Sequence, residues 1–94
     1  AYKYLCLTSS KVNLSYLQPC DRPMGRALCL VAPDGERTFA ISKGCMNDLS
    51  PDFIKEDVIA NAAALLLSAY PFRDESLPIF KATIKAVEIA KKNN

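Results

Sequence analysis

Apolar and polar positions change period several times along this chain. Val12, Leu14 and Tyr16 alternate with Asn13 and Ser15, a period of two that predicts a half-buried strand. Upstream of it, residues 1–7 read as a helix end or a short strand, and residues 8–10 as a connector. Pro19-Cys20-Asp21-Arg22-Pro23 predicts a turn, because each proline fixes φ and removes a donor. Residues 25–32 form a near-continuous apolar run, and residues 37–42 a second β-like run. Asp34-Gly35 between them predicts a hairpin with a two-residue turn, since glycine tolerates the positive φ of a type I′ turn. The continuity of the first run implies cover on both faces of the strand, or a ligand on one.

Residues 43–49 read as a loop. Ser50 as cap, Pro51 at the first helical position and Asp52 in the first turn then predict a helix. Phe53, Ile54, Val58 and Ile59 are its apolar face, and Asn61 ends it. Residues 63–68 are almost wholly apolar without alternation, which predicts a buried strand of parallel type, closed by Tyr70-Pro71. After a polar loop at residues 73–76, Ser76 is the expected cap of a helix over residues 77–92. Phe80, Ile84 and Val87 share one face of it, extended by Ile79, Thr83, Ala86 and Ala90. Lys91 and Lys92 fall in its last turn, where cations suit the helix dipole.

The predicted class is α/β. Residues 11–42 supply strands and a hairpin, and residues 43–94 a strand–helix step of a parallel sheet with crossover helices. A parallel strand at 63–68 requires a parallel neighbour, and nothing follows the last helix to supply one. The expectation is therefore a slice of a longer chain, one partial domain in 94 residues. Half the residues are apolar, too many for a disordered chain but enough only for a thin core.

Twelve Lys/Arg against ten Asp/Glu are scattered rather than clustered, so nucleic acid is not an expected partner. No run reaches the roughly 18–20 apolar residues of a membrane span, and none is an expected signal segment. Cys6, Cys20, Cys29 and Cys45 contain no C-x2-C pair, so a redox or zinc protein fits their spacing poorly. Reduced, mostly buried or incidental thiols of a cytoplasmic protein are expected instead. The chain has no histidine, which removes Ser-His and Cys-His nucleophile pairs. Gly25, Gly35 and Gly44 are too far apart to form a phosphate cradle.

Gly25 opening an apolar strand, then Asp34-Gly35-Glu36-Arg37, then the stretch from Ile41 through Gly44 and Asn47 to Leu49, resemble the lid region of the ribokinase (PfkB) carbohydrate kinase family. Met24 stands where the family commonly has Thr, and two residues instead of one separate Gly44 from Asn47. The similarity covers nearly the whole chain and is greatest to members acting on purine nucleosides such as inosine and guanosine. It implies a ribokinase-like fold. It also implies an enzyme that moves the γ-phosphate of ATP to the 5′-hydroxyl of a purine nucleoside with Mg²⁺. The sugar-holding glycine pair and the Gly-Ala-Gly-Asp segment with the catalytic base are absent from these residues. The 94-residue chain is therefore expected to be inactive by itself and to bind no cofactor, with no catalytic residue of its own.

The resemblance places five residues on the substrate side: Ala27, Cys29, Gly44, Asn47 and Tyr70. Ala27 and Cys29 share one strand face, where small side chains leave room for a purine; ordinary sheet packing is the alternative. Tyr70, after the expected strand 63–68, stands where open α/β sheets place ligands, or simply covers the sheet end. Gly44 is a candidate for positive φ, and Asn47 either meets substrate or bonds loop backbone. The competing class is a non-catalytic α/β interaction module that self-associates through exposed strand edges. Homo-oligomers formed through lid strands are expected on either reading.

Overall fold

The computed structural model describes residues 11–93. The expected elements over residues 1–10, and Cys6 with them, lie outside the described residues. The chain is a small α/β structure with one antiparallel hairpin followed by helices, and it divides into two compact units that meet in sequence at Met46 and Asn47.

In the first unit, β1 (Arg26–Val31) and β2 (Arg37–Ser42) pair antiparallel, with Ala27 opposite Ile41, Cys29 opposite Phe39 and Val31 opposite Arg37. The connection is not the expected two-residue turn. The Gly35 N–H donates to the Ala32 carbonyl at 2.9 Å, and the Ala32 N–H donates to the Glu36 carbonyl at 2.8 Å. Pro33, Asp34 and Gly35 thus make a three-residue loop. A type I′ turn needs positive φ at two successive residues, whereas here only Gly35 has it, at 89°. Pro33 supplies the fixed φ that suits the first corner of a type I turn. The Asp34 carboxylate then accepts from the Glu36 N–H at 3.1 Å.

At the open end of the hairpin two glycines meet. Gly44 has φ 51°, as its sequence setting suggested. A Cβ there would collide with the Pro23 carbonyl oxygen and lie 2.8 Å from the Gly25 nitrogen. The Cys45 N–H also donates to the Pro23 carbonyl at 2.9 Å, so the loop is drawn onto the chain entering β1.

The strand expected from Val12, Leu14 and Tyr16 does not form. The Asn13 side chain accepts from the Ser15 N–H at 3.0 Å, and the Leu17 N–H donates to the Leu14 carbonyl at 3.2 Å. A short polar side chain that bonds backbone two residues on competes with strand pairing, and here it wins.

The second unit is built on α2 (Pro78–Lys92). The helix expected from Ser50 to Asn61 is split into a 3-10 turn, Pro51–Phe53, and α1 (Glu56–Ala60). Ser50 caps the first piece, accepting from the Asp52 N–H at 3.2 Å. Asn61 closes the second, its side-chain amide donating to the Asp57 carbonyl at 2.7 Å. A further 3-10 turn spans Tyr70–Arg73. The α2 helix packs on α1 and on both 3-10 turns. Its buried residues are Ala82, Thr83, Ala86 and Ile89: Thr83 and Ala86 belong to the expected face, whereas Phe80, Ile84 and Val87 at its centre are only half-buried. Small residues at the buried positions let the flanking turns approach closely. The Thr83 hydroxyl is satisfied by the Ile79 carbonyl at 2.8 Å. The Lys85 ammonium donates to the Pro51 carbonyl at 2.8 Å, and Phe72 meets Phe80 edge-on with ring centroids 6.3 Å apart. Lys92 and Glu56 pair at 3.4 Å, both well exposed, so this ion pair contributes little.

Leu77, not Ser76, is the cap residue of α2, with Pro78 at its first position. Ser76 is held by Asp74 instead, at 2.9 Å through its N–H and 2.6 Å through its hydroxyl. The parallel sheet is the main correction. Residues 63–68 form no strand, and the sheet among the described residues is the two-stranded hairpin. A fully apolar strand needs hydrogen-bonding neighbours on both edges, and no parallel partner lies among the described residues to pair with it. Leu66 is consequently 95% exposed.

Candidate functional site

The five residues singled out in the sequence fall into the two units. Ala27, Cys29 and Gly44 belong to the first, and Asn47 and Tyr70 to the second.

In the first unit, antiparallel register completes the face on which Ala27 and Cys29 lie. Their directly opposite partners, Ile41 and Phe39, point to the same side of the sheet, with Val31 and Arg37 at the turn end. The result is a shelf with a small-residue floor along β1 and two large apolar side chains along β2. Phe39 is 53% and Ile41 58% exposed, so the shelf is bare. The opposite face carries Leu28 and Leu30, also exposed. Cover on both faces of β1, expected from its continuous apolar run, is not present within these residues. Phe39 and Ile41 were not among the candidates. The signal for them is the hairpin register, which follows only once the loop length is known.

Cys29 is exposed and Cys45 half-buried, and neither forms a disulfide. Of the expected reduced thiols, buried or incidental, these are free but not buried, because a two-stranded sheet has no covered face on which to bury Cys29.

In the second unit the structure brings Asn47 and Tyr70 together. The Tyr70 hydroxyl donates to Asn47 Oδ1 at 2.9 Å, across 23 residues of sequence and in a half-buried setting. The Asn47 carbonyl in turn accepts from the Ile79 N–H at 3.2 Å, on the first turn of α2. Arg73 lies over the Tyr70 ring, its guanidinium carbon 5.4 Å from the centroid, a cation–π arrangement. Tyr70 does not follow a strand, as expected, but opens the 3-10 turn that carries Arg73 back over its own ring. The pairing of Asn47 with Tyr70 was invisible in the sequence, because the separation matches no local period.

Within the same unit a groove of about 280 Å³ and mixed lining runs between α1, residues 62–67 and the end of α2. Ile59, Leu65, Leu67 and Val87 line it, and none of the five candidates does. Among the described residues, no three His, Cys, Asp or Glu lie together as a metal site would require. No helix among them is long and apolar enough to cross a membrane.

Comparison with known proteins gives a specific answer. The whole chain aligns over 95 positions at 54% identity with the guanosine-inosine kinase of Escherichia coli strain K12. It is equally similar to the proteins of that name from Escherichia coli O6:H1 and O157:H7. The alignment takes in 100% of this chain and 22% of each relative, so the chain spans about a fifth of the length of the curated relatives it matches. No family model matches the chain. The similarity to a nucleoside kinase read from the sequence is borne out.

Proposed function

We propose that this chain is an internal segment of an ATP-dependent purine nucleoside kinase of the ribokinase type. It would supply the lid hairpin and adjoining helices that hold inosine or guanosine while the 5′-hydroxyl is phosphorylated. The observation that carries this reading is 54% identity sustained over the whole chain to kinases named for those two nucleosides. The bare surfaces support it: among the described residues the shelf of β1 and β2 is exposed on both faces, and the apolar run at 63–68 pairs with no strand. Further polypeptide covers these in the whole protein, with 63–68 paired as a strand of the ribokinase-like sheet. The location is cytoplasmic.

The residues present do not fit ATP or Mg²⁺. Three scattered glycines make no phosphate cradle, and among the described residues no carboxylates cluster to hold a divalent ion. Phosphoryl transfer depends on positioning and on neutralising charge at the γ-phosphate. Those groups and the catalytic base belong to parts of the protein outside this chain. Within it, Ala27 and Cys29 form the floor of the nucleoside shelf, Gly44 holds the loop that closes the hairpin, and Asn47 and Tyr70 contribute polar contacts. The expected result is that the full-length protein phosphorylates inosine and guanosine with ATP, while the purified 94-residue chain transfers no phosphate above background. Activity in the isolated chain overturns the division of labour, and inactivity of the full-length protein overturns the reading itself.

The exposed hairpin also favours self-association. Leu28, Leu30, Val31, Phe39 and Ile41 are all more than half exposed, and each strand has one unpaired edge among the described residues. Light scattering after size exclusion is expected to show dimers or larger species of the 94-residue chain. Charged substitutions at Leu30 and Phe39 are expected to return it to monomer. A monomer at all concentrations argues against this second role.

A further inference from the structure

We propose that Asn47 reads the 6-position of the purine base as a hydrogen-bond donor, and that Tyr70 is the positioning residue that holds its amide in that sense. The inference rests on the nucleoside-kinase reading above.

An asparagine side chain offers a carbonyl on one side and an amino group on the other. Left free, it reads adenine well, accepting from the 6-amino group and donating to N7. Asn47 is not free in this way. Its Oδ1 accepts from the Tyr70 hydroxyl at 2.9 Å, and its own backbone is tethered to Ile79. A phenol donates more readily than it accepts. The Arg73 guanidinium over the ring strengthens that donation by drawing charge from the hydroxyl, and also limits the ring's motion. Both terms favour the orientation with Oδ1 toward Tyr70. The two Nδ2 hydrogens then have no partner among the described residues. The setting is half-buried, so part of the amide stays open to a ligand.

What remains on Asn47 is a donor. Inosine and guanosine carry a carbonyl acceptor at C6 beside the N7 acceptor, whereas adenosine carries an amino donor at that position. A locked donor pairs with the first two and meets the third donor to donor. This gives the Tyr70–Asn47 pair a role that scaffold packing does not require, namely selection of 6-oxopurines over 6-aminopurines.

The test measures kcat and KM of the full-length protein with inosine, guanosine and adenosine, together with thermal unfolding of each variant. Asn47→Asp keeps an oxygen for Tyr70 and removes both N–H donors. It is expected to raise KM for inosine and to lower the inosine-to-adenosine ratio of kcat/KM by about tenfold or more, the size typical of one well-placed polar contact. Tyr70→Phe keeps the ring under Arg73 and frees the amide to turn over. It is expected to lower the same ratio about threefold to tenfold, the loss falling on KM for inosine more than on KM for adenosine. If Asn47→Asp does not fold, the Tyr70→Phe ratio decides alone. An unchanged ratio in Tyr70→Phe, or equal losses on inosine and adenosine in both variants, overturns the proposal and leaves the pair a structural clamp. A wild-type protein without nucleoside kinase activity instead overturns the reading on which it rests.

Discussion

Gly44→Ala is expected to destabilise the hairpin unit by at least about 3 kcal/mol, from backbone strain and steric collision together. Two independent terms combine at this position. The φ of 51° lies in the left-handed region that an alanine enters only at a cost. The added methyl group also meets the Pro23 carbonyl and the Gly25 nitrogen, which are backbone and cannot swing aside as a flexible side chain does. Relief would break the bond from the Cys45 N–H to Pro23 and release the base of the hairpin. Gly35→Ala separates the two terms. Its φ of 89° is equally unsuited to alanine, but nothing lies within 4 Å of the new methyl group. It is expected to cost only about 1 kcal/mol. Denaturant midpoints of the two variants in the full-length protein check the ordering. Equal losses at Gly44 and Gly35 mean that the close approach to Pro23 carries no weight.

The second large effect belongs to Ala82. It is 0% exposed on the line where α2 meets its neighbours, and no large side chain in the described residues is fully buried. This core is made by close approach of backbone over small residues, so it has no room to yield. Ala82→Leu is expected to destabilise the second unit by about 2–3 kcal/mol through overpacking. Leu66→Ser in the same 94-residue chain changes a side chain that is 95% exposed and is expected to shift stability by less than about 0.5 kcal/mol. Equilibrium unfolding followed by circular dichroism distinguishes them. A larger loss from Leu66→Ser than from Ala82→Leu would show that the buried line of α2 has been wrongly placed.

These two positions show where pattern reading succeeds and where it stops. Gly44 was legible as a special backbone position, because a glycine following a strand in a polar loop is a local signal. What it touches was not legible, since Pro23 reaches it only after the hairpin folds back. On α2, a helix over residues 77–92 followed from its period, and so did burial of Thr83 and Ala86, but the period did not show that Ala82 and Ile89 are buried beside them while Phe80, Ile84 and Val87 are only half-buried. The burial is centred where α2 packs on α1 and the 3-10 turns at Pro51–Phe53 and Tyr70–Arg73, contacts that no local period encodes. The run at 63–68 misled for a related reason. Apolarity states that a segment wants cover, and not which geometry or which neighbour will provide it.

Of the candidate site, the sequence by itself determined the residues and their resemblance to a kinase lid, along with the hairpin, the helix at the C-terminal end and the lack of a phosphate cradle. These depend on local propensity, on composition and on the order of short motifs, all of which are properties of neighbours along the chain. Tertiary structure alone decided that Phe39 and Ile41 complete the face of Ala27 and Cys29, and that Asn47 is held by Tyr70. It alone also left 63–68 without a strand partner among the described residues. Strand register, amide orientation and pairing all require groups far apart in sequence to meet, and that meeting is settled by packing and hydrogen-bond satisfaction in three dimensions.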